Sequence, residues 1–268
     1  MSASIDCAVA NSALPGCIDT DGLRLEWAEA SWDTAIYGAP VLQITRLEVR
    51  GSRAATDFGG FELARDAAGS ALVSCRLAHD KLPESMLLEA AGFRFIEVLY
   101  WPELDRLQPV AASCDHTLQV RRATQADMPR VLLIAGTAFR NERFHVDPRL
   151  DPGLADLRYQ NWAASSLSHP SQRLFVVCNG QAVIAFFVTE DLVDATCYWH
   201  LNAVAPEYQG QGLGRKAWVA MIQHARSNGA KRVRTSIVAR NHRVLNLYAS
   251  LGFRFPSPLM TFHWVRPA

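Results

Sequence analysis

Residues 200–228 read HLNAVAPEYQGQGLGRKAWVAMIQHARSN. An apolar run ends at Pro206, and Gln209, Gly210, Gln211, Gly212, Leu213 and Gly214 follow. Beyond them Trp218, Met221, Ile222 and Ala225 recur at i, i+3, i+4 and i+7, the apolar stripe of an amphipathic helix. Glycines this dense let a backbone approach a ligand and aim several amide N–H groups one way. The loop stands where a helix begins, so uncapped N–H groups and the positive end of the helix dipole face the same point. The stretch therefore predicts a strand–loop–helix anion site, suited to a diphosphate.

The flanks exclude two common diphosphate binders. The glycines fall as G-x-G-x-G rather than the dinucleotide spacing G-x-G-x-x-G, and no acidic residue stands about 20 positions on. The Lys-Ser/Thr pair of a P-loop is missing, because Arg215, Lys216 and Ala217 follow Gly214. The segment Gln209-x-x-Gly212-x-Gly214 instead resembles the acyl-CoA loop of the GNAT superfamily of N-acetyltransferases, and LNAVAPEY resembles the end of that family's fourth strand.

Around this loop, periodicity gives the rest of the second half. LQVRRAT (118–124) reads as strand, and Thr124 with Asp127 forms a capping box for a helix over 125–139. A second helix is expected over 154–167, then strands 173–179 and 181–190 joined at Asn179-Gly180, a type I′ hairpin signal. Strand 196–205, the glycine loop, the helix to 227, strand 232–238, a helix over 241–251 ended by Gly252 and strand 259–265 complete the order. That mixed α/β order matches the GNAT fold which the resemblance implies. In the first half, strands are expected at 23–30, 41–49, 71–78 and 93–101, and helices at 61–68 and 83–91. LLEAAGFRF (87–95) also repeats as LYASLGFRF (247–255), identical at five of nine positions. The first copy has Leu88 where the second has Tyr248, and it has no glycine loop. The expected organisation is a loose tail over 1–21, a partial GNAT-like domain without catalytic motifs over 22–110, and a catalytic GNAT domain over 111–268.

The chain has 268 residues, 49% of them apolar and 20% charged, enough to bury a substantial core. A net charge of +1 argues against nucleic acid as the main partner. No apolar run is long enough to span a membrane and the first 21 residues lack signal-peptide character, so a cytoplasmic protein is expected. The six cysteines show no metal or redox spacing, and no metal is expected. The N-terminal half is a candidate dimerisation surface.

The resemblance implies acetyl-CoA as co-substrate and direct attack of an amine on its thioester. It assigns the general acid to Tyr248, whose other reading is a half-buried packing residue. It places the pantetheine arm against Leu201, Asn202, Ala203 and Val204, with the Val204 N–H polarising the thioester carbonyl. Asn241 matches a pantetheine-binding position and is equally a helix N-cap. Arg215 and Lys216 stand where they would meet phosphate or simply solvent. His200 is the first candidate for general base; His145 and Glu142 are rivals, as is a chain of water.

The acceptor is expected at residues 138–165, where Arg140, Arg143 and Arg149 mingle with Phe144, His145, Tyr159 and Trp162. Guanidinium groups beside aromatic faces suit a nucleotide, and equally a solvated loop whose aromatic rings pack under the helix. Arg143-Phe144-His145-x-Asp147, Ala155-Asp156 and Tyr159-x-x-Trp162, with LEWAEASWDTAIYG (25–38), resemble the dTDP-fucosamine acetyltransferases. That narrower likeness implies a nucleotide-linked 4-amino-6-deoxyhexose as acceptor. The alternatives are a non-sugar amine, an aminoacyl-tRNA donor, or a non-catalytic CoA-binding module.

Overall fold

A computed structural model describes residues 15–107 and 118–267. The described residues fall into two compact units: 15–98 with 147–150 and 259–267, and 99–107 with 118–146 and 151–258. Both are mixed α/β, as expected.

In the first unit the strands are β1 (Gly16–Asp19), β2 (Leu23–Glu29), β3 (Val41–Val49), β4 (Leu72–Ala78), β5 (Arg94–Tyr100) and the C-terminal β13 (Leu259–Val265). They lie in the order β1-β2-β3-β4-β13-β5, with β3 and β4 parallel. Helices α1 (Ser31–Tyr37), α2 (Ala54–Ala67) and α3 (Leu82–Ala90) connect them. Leu23, Leu25, Phe58, Phe61, Val73, Leu88, Phe93 and Phe262 form the core. Strand β1 begins inside the expected tail, because Cys17 and Ile18 extend a hairpin against Glu26 and Leu25. Helix α2 begins seven residues earlier than 61, since Ala54 and Phe58 share its buried face with Phe61. Asp147 is fully buried here, accepting from His263 Nδ1 at 3.0 Å and from Arg149 at 2.8 Å.

The second unit has β6 (Glu103–Asp105), β7 (Leu118–Arg122), β8 (Gln172–Asn179), β9 (Ala182–Asp191), β10 (Thr196–Val204) and β11 (Arg232–Thr235), in the order β6-β11-β10-β9-β8-β7. Only β10 and β11 run parallel among these neighbours. The short strand β12 (Ile237–Val238) pairs with Leu99 and Tyr100. Helices α4 (Met128–Ala138) and α6 (Pro152–Ser165) cover one face of the sheet with Val131, Ile134, Tyr159 and Ala163. Helices α7 (Leu213–Ser227) and α8 (His242–Ser250) cover the other with Trp218, Met221, Ile222 and Tyr248. One-turn α5 (Arg143–Val146) lies between α4 and α6 in the chain.

The Thr124–Asp127 capping box is present, and Arg121 clamps the Asp127 carboxylate with two bonds of 2.7 and 2.8 Å. The hairpin turn shifts by one residue: Asn179 pairs with Ala182, leaving Gly180 and Gln181 at the turn. The internal repeat is a repeat of backbone geometry. Phe93 N–H bonds Leu88 O at 2.9 Å and Phe253 N–H bonds Tyr248 O at 3.0 Å, with Gly92 and Gly252 at φ +83° and +86°. Each helix closes through the same left-handed glycine cap. Among the described residues no helix is long and apolar enough to cross a membrane.

Candidate functional site

The site grows from the parting of two parallel strands. Strands β10 and β11 pair from Thr196↔Arg232 to Trp199↔Thr235. Beyond that pair β10 continues to Val204 with β9 as its remaining partner, while the other chain turns into β12. Among the described residues Leu201–Val204 therefore present one strand edge with no neighbouring strand, and edge groups other than the Val204 carbonyl, which Gln209 engages, are placed to bind an extended ligand.

A β-bulge sits where the strands part. Against β9 the register jumps between Trp199 and Leu201, so His200 is the extra residue. A bulge re-aims every side chain after it. Cys197 and Trp199 lie in the core beneath α7 and α8, but Leu201 and Ala203 lie beneath α4 and α6. Asn202 and Val204 consequently share the α7–α8 face with Tyr248. Unbulged alternation would have sent Asn202 to the opposite side.

Tyr248 is brought to this face by α8 and is buried. Its hydroxyl donates a long bond, 3.4 Å, to Asn202 Oδ1. Asn202 Nδ2 reaches Thr235 Oγ1 at 3.5 Å, and Thr235 donates to Trp199 O at 2.9 Å. Burial pushes the Tyr248 phenol up to about 12, so it stays protonated at neutral pH. Cys197, on the same strand, is a poor nucleophile, because burial pushes its thiol to about 12.

The predicted glycine loop stands at the end of β10. Gly210 and Gly212 adopt φ +79° and +75°, and added Cβ atoms would point into open space apart from the Arg243 guanidinium 4.0 Å from Gly210. Gly212 caps the fifteen-residue α7 without a side-chain bond to its first-turn N–H groups. Gln209 Nε2 donates to Val204 O at 2.9 Å and Gln211 Nε2 to Glu207 O at 2.6 Å, fixing the loop against the strand. Leu213 begins α7, a Cβ added at Gly214 would lie 3.8 Å from Val204, and Arg215 bonds Ser250 Oγ at 3.1 Å. Asn241 acts as an N-cap, its Oδ1 accepting from Val244 N–H at 3.3 Å. Thus an uncapped helix start and an open strand edge adjoin, which fits a long ligand with an anionic end.

Three participants lack a sequence signal. Arg243, on α8, donates to Gln209 Oε1 at 3.2 Å and lies against the loop. Glu190 accepts from His200, and Thr235 closes the strand junction. Each is one polar residue in an ordinary helix or strand pattern, so only tertiary placement reveals it.

His200 is not brought to Tyr248. It faces α6, with its Nε2 2.7 Å from Glu190 Oε2 and its ring 6.2 Å from Trp162. Burial depresses its pKa and Glu190 opposes that shift. Of the expected acceptor residues, Trp162 is the one set beside His200. Phe144 and Tyr159 are buried, and Arg143 stacks on Phe144 at 4.6 Å. His145 bonds Asp156 at 2.8 Å and stacks on Tyr159. Packing engages these side chains within the protein. Arg158 lies over Phe144, Tyr159 and Trp162, the nearest ring at 4.4 Å.

Comparison with known proteins bears on the fold. Residues 137–253 match the acetyltransferase (GNAT) family. The ribosomal protein bS18-alanine N-acetyltransferase of Escherichia coli K12 is 35% identical over 75 residues, covering 28% of this chain. The match spans 49% of that enzyme, so this chain spans about half the length of the curated relatives it matches. A conserved Staphylococcus epidermidis protein of unknown function superposes with a TM-score of 0.66 at 13% identity, over 93% of both chains. A GCN5-related N-acetyltransferase from Sphaerobacter thermophilus gives 0.61 at 13% identity, over 92% of this chain and 78% of that one. These similarities establish a GNAT fold.

Proposed function

We propose that this chain, with its GNAT-family segment over residues 137–253, is an acetyl-CoA-dependent N-acetyltransferase. The observation carrying this reading is the parted β10–β11 junction, with an uncapped, glycine-started helix at one end and a protonated Tyr248 beneath it. Acetyl-CoA supplies an acyl group already activated as a thioester.

The residues present fit such a co-substrate. The backbone of Leu201–Val204 would hold an extended amide-bearing arm, and the amides of Gln211–Gly214 would meet a diphosphate. Arg243 and Arg215 add positive charge beside it. The Val204 N–H polarises a carbonyl, and Tyr248 donates the proton that a departing thiolate requires. On the other face, His200 accepts a proton from the amine, directly or through water. Glu190 orients its ring, holding one nitrogen and leaving Nδ1 for proton transfer.

Two acceptor classes follow. A nucleotide-linked amino-deoxysugar accords with the motif likeness over 143–162 and with the Arg158–Trp162 surface next to His200. A protein N-terminal amine accords with the relative that acetylates a ribosomal protein alanine. Thiol release from acetyl-CoA, measured against dTDP-4-amino-6-deoxysugars and peptides with free N-termini, decides between them. Binding of CoA without thiol release for any amine would leave only a CoA-binding module. A cytoplasmic location and a homodimer belong to the same proposal.

A further inference from the structure

A second charged concavity lies in the second unit, far from the glycine loop. It is an open groove of about 950 Å³ lined by Asp105, Arg106, Asp194, Arg226, Lys231, Arg232 and Arg254, with Leu107, Ala230 and Gly252. Lys231 and Arg232 sit at the start of β11, opposite Thr196 at the start of β10. The glycine loop follows the other end of β10, eight residues away, or roughly 26 Å at 3.3 Å per residue. One small anion cannot serve both places.

Five cations face two carboxylates across this groove, an excess of three positive charges. The carboxylates are already engaged: Asp105 pairs with Arg232 and Arg254, and Asp194 lies 3.4 Å from Arg232. The side chains of Arg106, Arg226 and Lys231 are exposed and make no ion pair among the described residues. Arg226 also complements the C-terminal end of α7, as a basic residue in a last turn does. That leaves Arg106 and Lys231 without such an account.

The backbone supplies a separate observation. Among the described residues, only Arg106 and Ala195 combine a side chain with positive φ, at +52° and +59°. Arg106 lines the groove, and Ala195 O accepts from Lys231 N–H at 2.9 Å. Ala195 takes its positive φ in closing the tight β9–β10 turn, whereas Arg106 closes no such hairpin among the described residues and lines the groove itself. Non-glycine residues persist in that conformation where the surroundings impose it, and such positions cluster at ligand sites.

We propose that this groove is a second anion site, which takes a compact, multiply charged phosphate. Among the described residues no aromatic ring lines it, so they offer no platform for the stacked bases of single-stranded nucleic acid. Among the described residues Leu107 and Ala230 are its only apolar side chains, too little to anchor a peptide. Several guanidinium groups lining one opening suit clustered phosphate oxygens.

The test is calorimetric titration of inorganic triphosphate into the full chain, with and without saturating CoA. One equivalent binds in both cases, and Arg106→Gln/Lys231→Gln weakens it at least tenfold while CoA affinity holds. Arg226→Gln alone weakens it about threefold. All three positions are solvent-exposed, and thermal melting verifies that each variant is folded. Loss of triphosphate binding whenever CoA is present would assign the anion to the glycine loop and overturn the proposal. Unchanged binding in the double variant, no binding at all, or equal competition by an oligoglutamate or oligonucleotide of matched charge would overturn it too.

Discussion

Thr235 donates its hydroxyl to the carbonyl of Trp199 at 2.9 Å, across the last pair of residues that β10 and β11 share before they part. The bond ties the apex of the cleft. Thr235→Val keeps the shape and removes the donor, which should lower stability by about 1 kcal/mol. CoA affinity should fall with it. Chemical denaturation and CoA titration on the same variant check both, and unchanged values would show that the apex needs no tie.

Tyr248→Phe should reduce kcat about a hundredfold, the ordinary scale for a lost proton donor, with CoA affinity little changed. The phenol also predicts an alkaline effect on stability. Its folded pKa of about 12 lies above the ordinary 10, so its contribution is complete below pH 10 and declines as pH rises through 12. The slope is about 1.4 kcal/mol per pH unit within that window. Wild type should lose stability there faster than the Phe variant in parallel denaturation curves.

Glu190→Gln leaves His200 a hydrogen-bonding neighbour and removes the negative charge. Because Glu190 raises the His200 pKa against burial, the variant should carry a still lower one. The acid limb of kcat/KM should move to lower pH, and Glu190→Asp should restore it in part. An unmoved limb would exclude His200 as the group that titrates there.

Arg243→Ala removes the guanidinium next to Gly210 and Gln209. A charge-assisted contact of about 1.5 kcal/mol predicts a rise of roughly tenfold in KM for acetyl-CoA, with kcat retained. Initial-rate kinetics over a range of acetyl-CoA concentrations give the answer.

Gly92→Ala and Gly252→Ala should cost similar stability, about 1–2 kcal/mol each. Both glycines have positive φ, and a new Cβ would meet only ordinary contacts, 3.7 Å from Trp264 and Leu104 respectively. Matched losses in thermal melts would establish the two caps as energetic equivalents. A loss at one alone would limit the repeat to sequence.

Long periodic segments are legible in the sequence alone. Trp218, Met221 and Ile222 marked α7 because one buried stripe needs helical spacing, and the Thr124–Asp127 cap announced α4. The glycine loop was legible because its backbone needs φ values that few other residues accept. The α1 helix was not, as its seven residues bury little apolar surface. The bulge at His200 was equally invisible: TCYWHLNAV is apolar on both faces, so alternation carries no phase. The aromatic residues of 138–165 were conspicuous by composition, yet composition does not separate a ring that packs inward from one that greets a ligand.

The extra residue in β10 makes one strand into a partition wall. Tyr248 and Asn202 lie on one side of it, and His200 and Glu190 on the other. Burial raises the Tyr248 phenol to about 12 and lowers the His200 imidazole, so neither group trades a proton with the other. In the proposed mechanism a substrate lying across this wall would join the two sides, so each side can be altered by mutation without touching the other.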